Sequence, residues 1–235
     1  MFQISKEDEE WRAKVRDYAQ TVIKPRAHDI DAKGEFPMDL VKQMGKMGIM
    51  GMTVPKEWGG PGISTISYAI GVEEISRVCG STGLTVAAHN SLCTGHVKLS
   101  GNHDQKEIYL RKLATGEYIG AWGLTEPGAG SDAGGTQTYA VREGDGWKVN
   151  GQKLFITNGH VADVFVIIVK TDRGAKGSKG ISAFVFPKDT NGLKLGQQED
   201  KLGLKGSITS QFFLEDMWLP DEALLGELGK GFRML

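Results

Sequence analysis

Residues 122–132 read WGLTEPGAGSD and stand where the pattern of the chain changes from helical to β. Gly128 and Gly130 allow the backbone to approach a ligand closely, because neither carries a β-carbon. Thr125, Ser131 and the free backbone N–H groups of such a loop can hydrogen-bond carbonyl or phosphate oxygens. The stretch therefore predicts a cofactor cradle, although by composition an ordinary Gly-Pro surface loop between two domains explains it equally well.

Upstream of this stretch, the apolar residues recur at helical spacing. Ser5 and Asp8 form a capping-box-like start. The apolar face of this first helix then consists of Trp11, Val15, Tyr18 and Val22. Pro37 marks the start of a second helix and Gly48 its end. Between residues 64 and 114 the pattern predicts three further helices, interrupted near residues 80–83 and near residue 101.

Downstream, from about residue 118, the pattern changes to alternation and short apolar runs. Asn150-Gly151 is typical of a two-residue type I′ turn, which predicts a hairpin of residues 147–149 with residues 152–156. Further strands are predicted in four segments: Val161 to Lys170, Ile181 to Pro187, Leu193 to Gln198 and Gln211 to Leu219.

Helices followed by strands, without alternation, indicate separate domains and not a doubly wound sheet. The sequence therefore predicts an α+β, multi-domain protein. We expect an all-α domain at residues 1–117 and an all-β domain, a barrel or sandwich, at residues 118–235. A length of 235 residues fits two ordinary domains.

The composition excludes several classes of protein. Hydrophobic residues make up 40% and charged residues 24% of the chain, as in globular proteins. A formal net charge of −1 gives no electrostatic case for binding nucleic acid. The longest apolar run, residues 164–169, is too short to cross a bilayer. Because Cys79 and Cys93 are too few for a disulfide framework and the N-terminus is acidic, we expect free thiols and a cytoplasmic protein.

Two other patterns resemble known kinds of site. Gly128, Gly130 and Ala133 match a G-x-G-x-x-A dinucleotide fingerprint, but a β pattern follows them where the fingerprint needs a helix. Three possible metal ligands fall on one helical face: His89, Cys93 and His96. A buried cysteine more often acts as a small hydrophobic residue, so we predict no metal site.

Four motifs resemble segments of one enzyme family. LTEPGAGSD at residues 124–132 and the stretch Phe155-Ile156-Thr157-Asn158 resemble the flavin-binding signature of acyl-CoA dehydrogenases. VPKEWGGPG at residues 54–62 and DKLGLKGSITS at residues 200–210 are similar to the short-chain, butyryl-CoA members. The resemblance implies a helical N-terminal domain, an antiparallel β-barrel middle domain and a C-terminal four-helix bundle. That bundle is absent from these residues, although residues 231–235 resemble the start of its first helix.

The resemblance also implies FAD as the cofactor and assigns residues to it. The wrapping segment would consist of Trp122, Gly123, Leu124, Thr125, Gly130 and Ser131. Phe155, Ile156 and Thr157 would pack beside the flavin ring, with Phe155 standing where the family usually has Trp. The alternative for Phe155 is an inward core residue of a strand. Ser131 and Ser178 would contact the acyl-CoA substrate.

The implied reaction is α,β-dehydrogenation of an acyl-CoA thioester to the trans-2-enoyl-CoA, with an electron-transfer flavoprotein as acceptor. A carboxylate acts as the base in this family, and we expect it beyond Leu235, so no catalytic residue is assigned and residues 1–235 alone should be inactive. The resemblance further implies fatty acid metabolism and a homotetramer. Alternatives are an acyl-CoA oxidase or nitroalkane-oxidase-like enzyme, or a flavin-binding protein without dehydrogenase activity.

Overall fold

The computed structural model describes residues 4–235, and its first half is helical. Residues 6–33 form one rod in four parts: α1 (Lys6–Tyr18), a π turn (Ala19–Ile23), a 3₁₀ turn (Lys24–Arg26) and α2 (Ala27–Lys33). The Ser5 hydroxyl accepts the N–H of Asp8, whose carboxylate accepts the N–H of Ser5, so the predicted capping box is confirmed. At the other end, Gly34 takes a left-handed conformation with φ of 65°.

The predicted second helix is also confirmed. It is α3 (Met38–Lys46), which follows Pro37 and ends before Gly48 at φ of 81°.

Three further helices follow, as predicted, although π turns interrupt two of them. The first is α4 (Thr65–Ser76). The second comprises α5 (Gly80–Ala88), a π turn (His89–Thr94) and α6 (Gly95–Ser100). The third comprises α7 (His103–Gln105), a π turn (Lys106–Leu110) and α8 (Arg111–Thr115). Within the described residues, no helix combines the length and apolar character needed to span a membrane.

The second half folds into one sheet of eight strands. They are β1 (Gly120–Gly123), β2 (Tyr139–Glu143), β3 (Gly146–Thr157), β4 (Val164–Lys170), β5 (Ile181–Pro187), β6 (Leu193–Gln198), β7 (Thr209–Pro220) and β8 (Leu224–Leu225). The order across the sheet is β6-β7-β3-β2-β4-β5-β8, with β1 paired to β4. The bounds predicted for β5 and β6 are confirmed.

The predicted fold class, a helical domain followed by a β domain, is confirmed, but the term antiparallel barrel needs correction in two respects. The sheet does not close, because β6 and β8 lie at its two edges and do not pair with each other in residues 4–235. It is also mixed, since β4 runs parallel to β1 and β2. Strand β3 lies between β2 and β4 in the chain and runs antiparallel to β2, and β4 then runs in the direction of β2. At the chain end, residues 231–234 form a single 3₁₀ turn where we expected the start of an α-helix.

The hairpin predicted at Asn150-Gly151 is wrong. These residues lie inside β3, at a register shift against β7, and the reversal between β2 and β3 occurs around Gly144, whose φ is 61°. A β-carbon on Gly151 would lie 2.7 Å from the Thr138 Cα atom, so the glycine permits close approach of the neighbouring backbone.

Strand β4 is buried on both faces, one against the helical domain and the other inside the sheet domain. Val164, Val166 and Ile168 pack in a cluster with the helical residues Cys93 and Leu113. The alternate residues of β4 point into a second cluster within the sheet domain: Phe165, Ile167 and Val169. Burial on both faces explains the unbroken apolar run at residues 164–169.

Buried His89 connects the helices to the first strand. Its Nε2 atom lies 3.0 Å from the Leu113 carbonyl oxygen, and its Nδ1 atom accepts the N–H of Gly120 at 3.0 Å. Because Nδ1 is an acceptor, the ring is neutral and Nε2 donates. Burial lowers the pKa of His89 to about 4, so the ring stays neutral in this position.

Candidate functional site

A cleft of about 140 Å³ opens between the sheet and the helix formed by α5, the π turn after it and α6. Six of the residues predicted from the resemblance line it: Trp122, Leu124, Thr125, Phe155, Ile156 and Thr157. The remaining lining residues are Ala88, Leu92, Gly120, Ala121 and Leu154. Two segments that are distant in sequence therefore meet at one place.

Strands β1 and β3 position the two segments. The Leu154 N–H donates to the Thr125 carbonyl at 2.8 Å, which ties the end of β1 to the end of β3. Strand β3 has a bulge between Lys153 and Ile156 against β7. A bulge redirects side chains locally, so Phe155 turns away from the core of the sheet domain.

Phe155 is exposed, and its interpretation as an inward core residue is wrong. Its side chain is 59% accessible and its φ is 56°, a conformation that costs a non-glycine residue free energy. A strained backbone with an exposed ring at a cleft is typical of functional sites.

The sequence analysis named neither residue of the helical wall of the cleft, Ala88 or Leu92. Ala88 ends α5, and Leu92 lies in the π turn that follows it. Such π turns inside helices often occur at functional sites. The sequence carried no specific signal for this wall, because small and apolar residues on a helix equally indicate core packing.

Trp122 has an unusual polar environment. Its ring stacks on His96 with centroids 5.3 Å apart. The Trp122 Nε1 atom is buried and lacks a hydrogen-bond partner within residues 4–235. A buried donor without an acceptor costs free energy.

Gly123 serves packing and does not line the cleft. A β-carbon at this position would lie 2.7 Å from Phe212 Cζ and 3.2 Å from Lys153 Cγ. The glycine is therefore required by the sheet core next to the cleft.

Gly128 and Gly130 differ from Gly123. A β-carbon on either would meet no heavy atom of residues 4–235 within 4 Å. Both residues are exposed, as is Ser131. The protein itself therefore places no steric requirement for glycine at these two positions.

Ser131 and Ser178 lie outside the cleft, on loops that approach each other. A β-carbon on Gly134 would lie 3.4 Å from the backbone nitrogen of Ser178. Residues 133–135 form a 3₁₀ turn followed by strand β2, so the dinucleotide fingerprint is absent here, as its context predicted.

Lys153 and Glu126 form a buried ion pair directly behind the cleft, which the sequence analysis also missed. Their side chains are 0% and 4% exposed, and Lys153 Nζ lies 2.6 Å from Glu126 Oε1. Burial lowers the pKa of Lys153 to about 8, against the opposing attraction of Glu126. Burial raises the pKa of Glu126, but Lys153 and the surrounding hydrogen bonds outweigh it and lower the pKa overall.

The three possible metal ligands, His89, Cys93 and His96, have other hydrogen-bond partners. His89 bonds Leu113 and Gly120, as described above. Cys93 Sγ donates to the Val164 carbonyl at 3.8 Å, and burial raises the pKa of its thiol to about 12. The His96 Nε2 atom lies 2.8 Å from the Met234 carbonyl oxygen. Within residues 4–235 no cluster of three ligand-type side chains is arranged to hold a metal ion.

The cleft lining contains no acidic or basic side chain among the described residues. Its polar side-chain groups are the hydroxyls of Thr125 and Thr157. A cleft whose lining is divided about equally between apolar surface and uncharged polar groups suits a flat heteroaromatic ligand. Proton abstraction needs a titratable group within reach, and this lining supplies none.

Comparison with known proteins identifies the same two regions. Residues 5–117 match the family model of the acyl-CoA dehydrogenase N-terminal domain, and residues 121–217 match that of the middle domain. A short-chain specific acyl-CoA dehydrogenase of Clostridium acetobutylicum is 50% identical over 231 residues. The alignment covers 98% of this chain and 61% of that protein, so the chain spans less than two thirds of its relative.

Solved structures resemble the fold over nearly its whole length. Butyryl-CoA dehydrogenase from Megasphaera elsdenii has a TM-score of 0.94 at 35% identity, covering 100% of this chain and 62% of that one. A glutaryl-CoA dehydrogenase from Mycobacterium smegmatis in complex with FADH2 has a TM-score of 0.91 at 32% identity, covering 98% of this chain and 58% of that one.

Proposed function

This chain belongs to the acyl-CoA dehydrogenase family, and we propose that it forms the flavin-binding part of an FAD-dependent enzyme. The complete enzyme would convert an acyl-CoA thioester to the trans-2-enoyl-CoA. The observation that carries the proposal is the cleft itself, because the two segments with flavin-type motifs line it together.

The residues of the cleft fit a flavin ring. Its walls combine apolar side chains with polar groups, and the Thr125 and Thr157 hydroxyls can hydrogen-bond ring heteroatoms. The open space around Gly128 and Gly130 leaves room for the rest of the cofactor.

FAD, when bound, supplies a hydride acceptor for oxidation of the acyl chain. The chain's own residues would bind and orient the ring: Thr125 and Thr157 through their hydroxyls, and Phe155 and Ile156 through apolar contact. Ala88 and Leu92 would exclude water from the helical side of the cleft. The carboxylate that removes the α proton would come from outside residues 4–235, since this lining offers none.

Ser131 and Ser178 would contact the acyl-CoA. Both are exposed, and the loops that carry them lie close together. Arg173, Lys176 and Lys179 are exposed on the same loop as Ser178, so the surface beside it is positive. Phosphate groups of a CoA thioester are suited to such a surface.

An electron-transfer flavoprotein is the proposed electron acceptor, on the grounds of the family resemblance. The homotetramer, the role in fatty acid metabolism and the cytoplasmic location stay predictions.

An anaerobic titration tests the proposal. The complete protein that contains these residues is purified, its flavin content is measured, and butyryl-CoA or longer thioesters are added while the flavin absorbance is followed. We expect copurified FAD and loss of its long-wavelength band. Rapid reoxidation by oxygen would instead indicate an oxidase. Bound flavin that no acyl-CoA bleaches would indicate a flavin-binding protein without this activity.

A further inference from the structure

We propose that Lys153 and Glu126 are positioning residues that hold the flavin-facing wall in shape, an inference that rests on the proposed function. Neither residue lines the cleft. Each is adjacent in sequence to a residue that does: Glu126 follows Thr125, and Lys153 precedes Leu154.

The ammonium group of Lys153 has three donors, and three acceptors surround it. Its Nζ atom lies 3.0 Å from the Leu124 carbonyl, 2.6 Å from Glu126 Oε1 and 3.2 Å from Thr136 Oγ1. The three acceptors lie at the end of β1, in the turn that follows it, and at the far end of the loop. One side chain of β3 therefore fixes three points of the wrapping segment.

The carboxylate of Glu126 joins the two ends of the loop formed by residues 126–138. It accepts the N–H of Gln137 at 2.6 Å and the N–H of Thr138 at 3.1 Å, and it also accepts the Thr136 hydroxyl. The residues between, including Gly128 and Gly130, are largely exposed, and β-carbons on these two glycines would meet no described neighbour. The loop's shape is therefore set mainly at its two joined ends.

A gain in folding stability does not explain why a charged pair occupies these two buried positions. Burying two charges costs about as much as their attraction returns, so an apolar pair of similar volume often folds equally well. A charged pair with directional hydrogen bonds differs from an apolar pair in geometric precision. The pair therefore fixes the positions of Leu124 and Leu154, which line the cleft.

The main test is Glu126→Gln, a nearly isosteric change that removes the charge. FAD affinity is measured by fluorescence at a temperature well below unfolding, together with the shape of the bound flavin spectrum and the melting temperature. We expect FAD affinity to fall by about tenfold or more and the bound spectrum to change. The matched control is Glu74→Gln, since Glu74 is also a buried carboxylate, 2% exposed, bound by Arg16 at 2.7 Å in the helical domain. It should lower the melting temperature and leave flavin affinity and spectrum unchanged.

Thr136→Val is a second, milder variant that is expected to fold. It removes the hydroxyl that contacts both charged groups, and it should shift flavin affinity and spectrum in the same direction by a smaller factor. If Glu126→Gln and Thr136→Val bind FAD as the unmodified protein does, with an identical spectrum, the pair has only a structural role and this proposal is wrong. If the unmodified protein itself binds no FAD, the proposed function fails instead.

Discussion

The backbone N–H of Leu154 donates to the Thr125 carbonyl at 2.8 Å, so the two flavin-type motifs of this chain are directly bonded. This contact places the threonines of the two motifs, Thr125 and Thr157, on one cleft. Each motif by itself is a short loop or strand end, and only their pairing creates a ligand-sized surface.

Replacing both hydroxyls is expected to weaken flavin retention. The double variant Thr125→Val/Thr157→Val keeps the side-chain shapes and removes two hydrogen bonds, each worth on the order of 1 kcal/mol net. The measurement is the FAD content of the complete protein after purification. Full flavin content in the double variant would contradict the assignment of these hydroxyls.

Gly130→Ala tests whether glycine at this position is needed for FAD binding and not for folding. Since a β-carbon here meets no described atom within 4 Å, the melting temperature should stay unchanged while FAD affinity falls. The control is Gly123→Ala, whose β-carbon would lie 2.7 Å from Phe212 Cζ and should destabilise the fold by about 1 to 3 kcal/mol. Unchanged FAD affinity in Gly130→Ala would mean that the flavin does not approach this residue.

Phe155→Trp should be tolerated by the fold. The side chain is 59% exposed, so a larger ring extends into solvent and stability should change by less than about 0.5 kcal/mol. Phe165→Trp is the matched control, because Phe165 is fully buried and overpacking there costs about 1 to 3 kcal/mol. Thermal unfolding of both variants checks this. Equal losses would show that Phe155 packs more tightly than its exposure indicates.

His89 should make the fold sensitive to acid. Its pKa is about 4 in the fold and 6.5 in the reference state, so between these values the unfolded chain binds the proton more readily. Stability linked to His89 is therefore present above pH 6.5 and is lost as the pH falls towards 4, on the order of 3 kcal/mol.

Urea unfolding of His89→Gln should show a shallower loss of stability over this pH window than the unmodified protein. His28→Gln, which changes an exposed histidine, should lose as much unfolding free energy over this pH window as the unmodified protein. An equal dependence of unfolding free energy on pH in His89→Gln and in the unmodified protein would contradict this role of His89.

Local patterns predicted most of the elements. The capping box at Ser5, the stop at Gly48 and the bounds of β5 and β6 follow from residue types that act within a few positions. The turn signal at Asn150-Gly151 was misleading because pairing of β3 with β7, distant in sequence, overrides it. The open sheet edge could not be predicted either, since closure depends on the order of all the strands.

The site was predicted through motifs and not through its geometry. Trp122, Thr125 and Thr157 line one cleft, and their contact with flavin stays a prediction. Lys153 and Glu126 escaped notice because a lysine in a strand usually indicates a solvated face. Their pairing exists only after β3 lies beside the wrapping segment.

The most direct test of the central claim uses residues 1–235 alone, with FAD and butyryl-CoA added anaerobically. The claim is that these residues form one wall of a flavin site and do not supply the catalytic base. Because no acidic or basic side chain of residues 4–235 lines the cleft, we expect the flavin absorbance to remain unbleached. Bleaching at a rate similar to that of the complete enzyme would show that a carboxylate within these residues is the base.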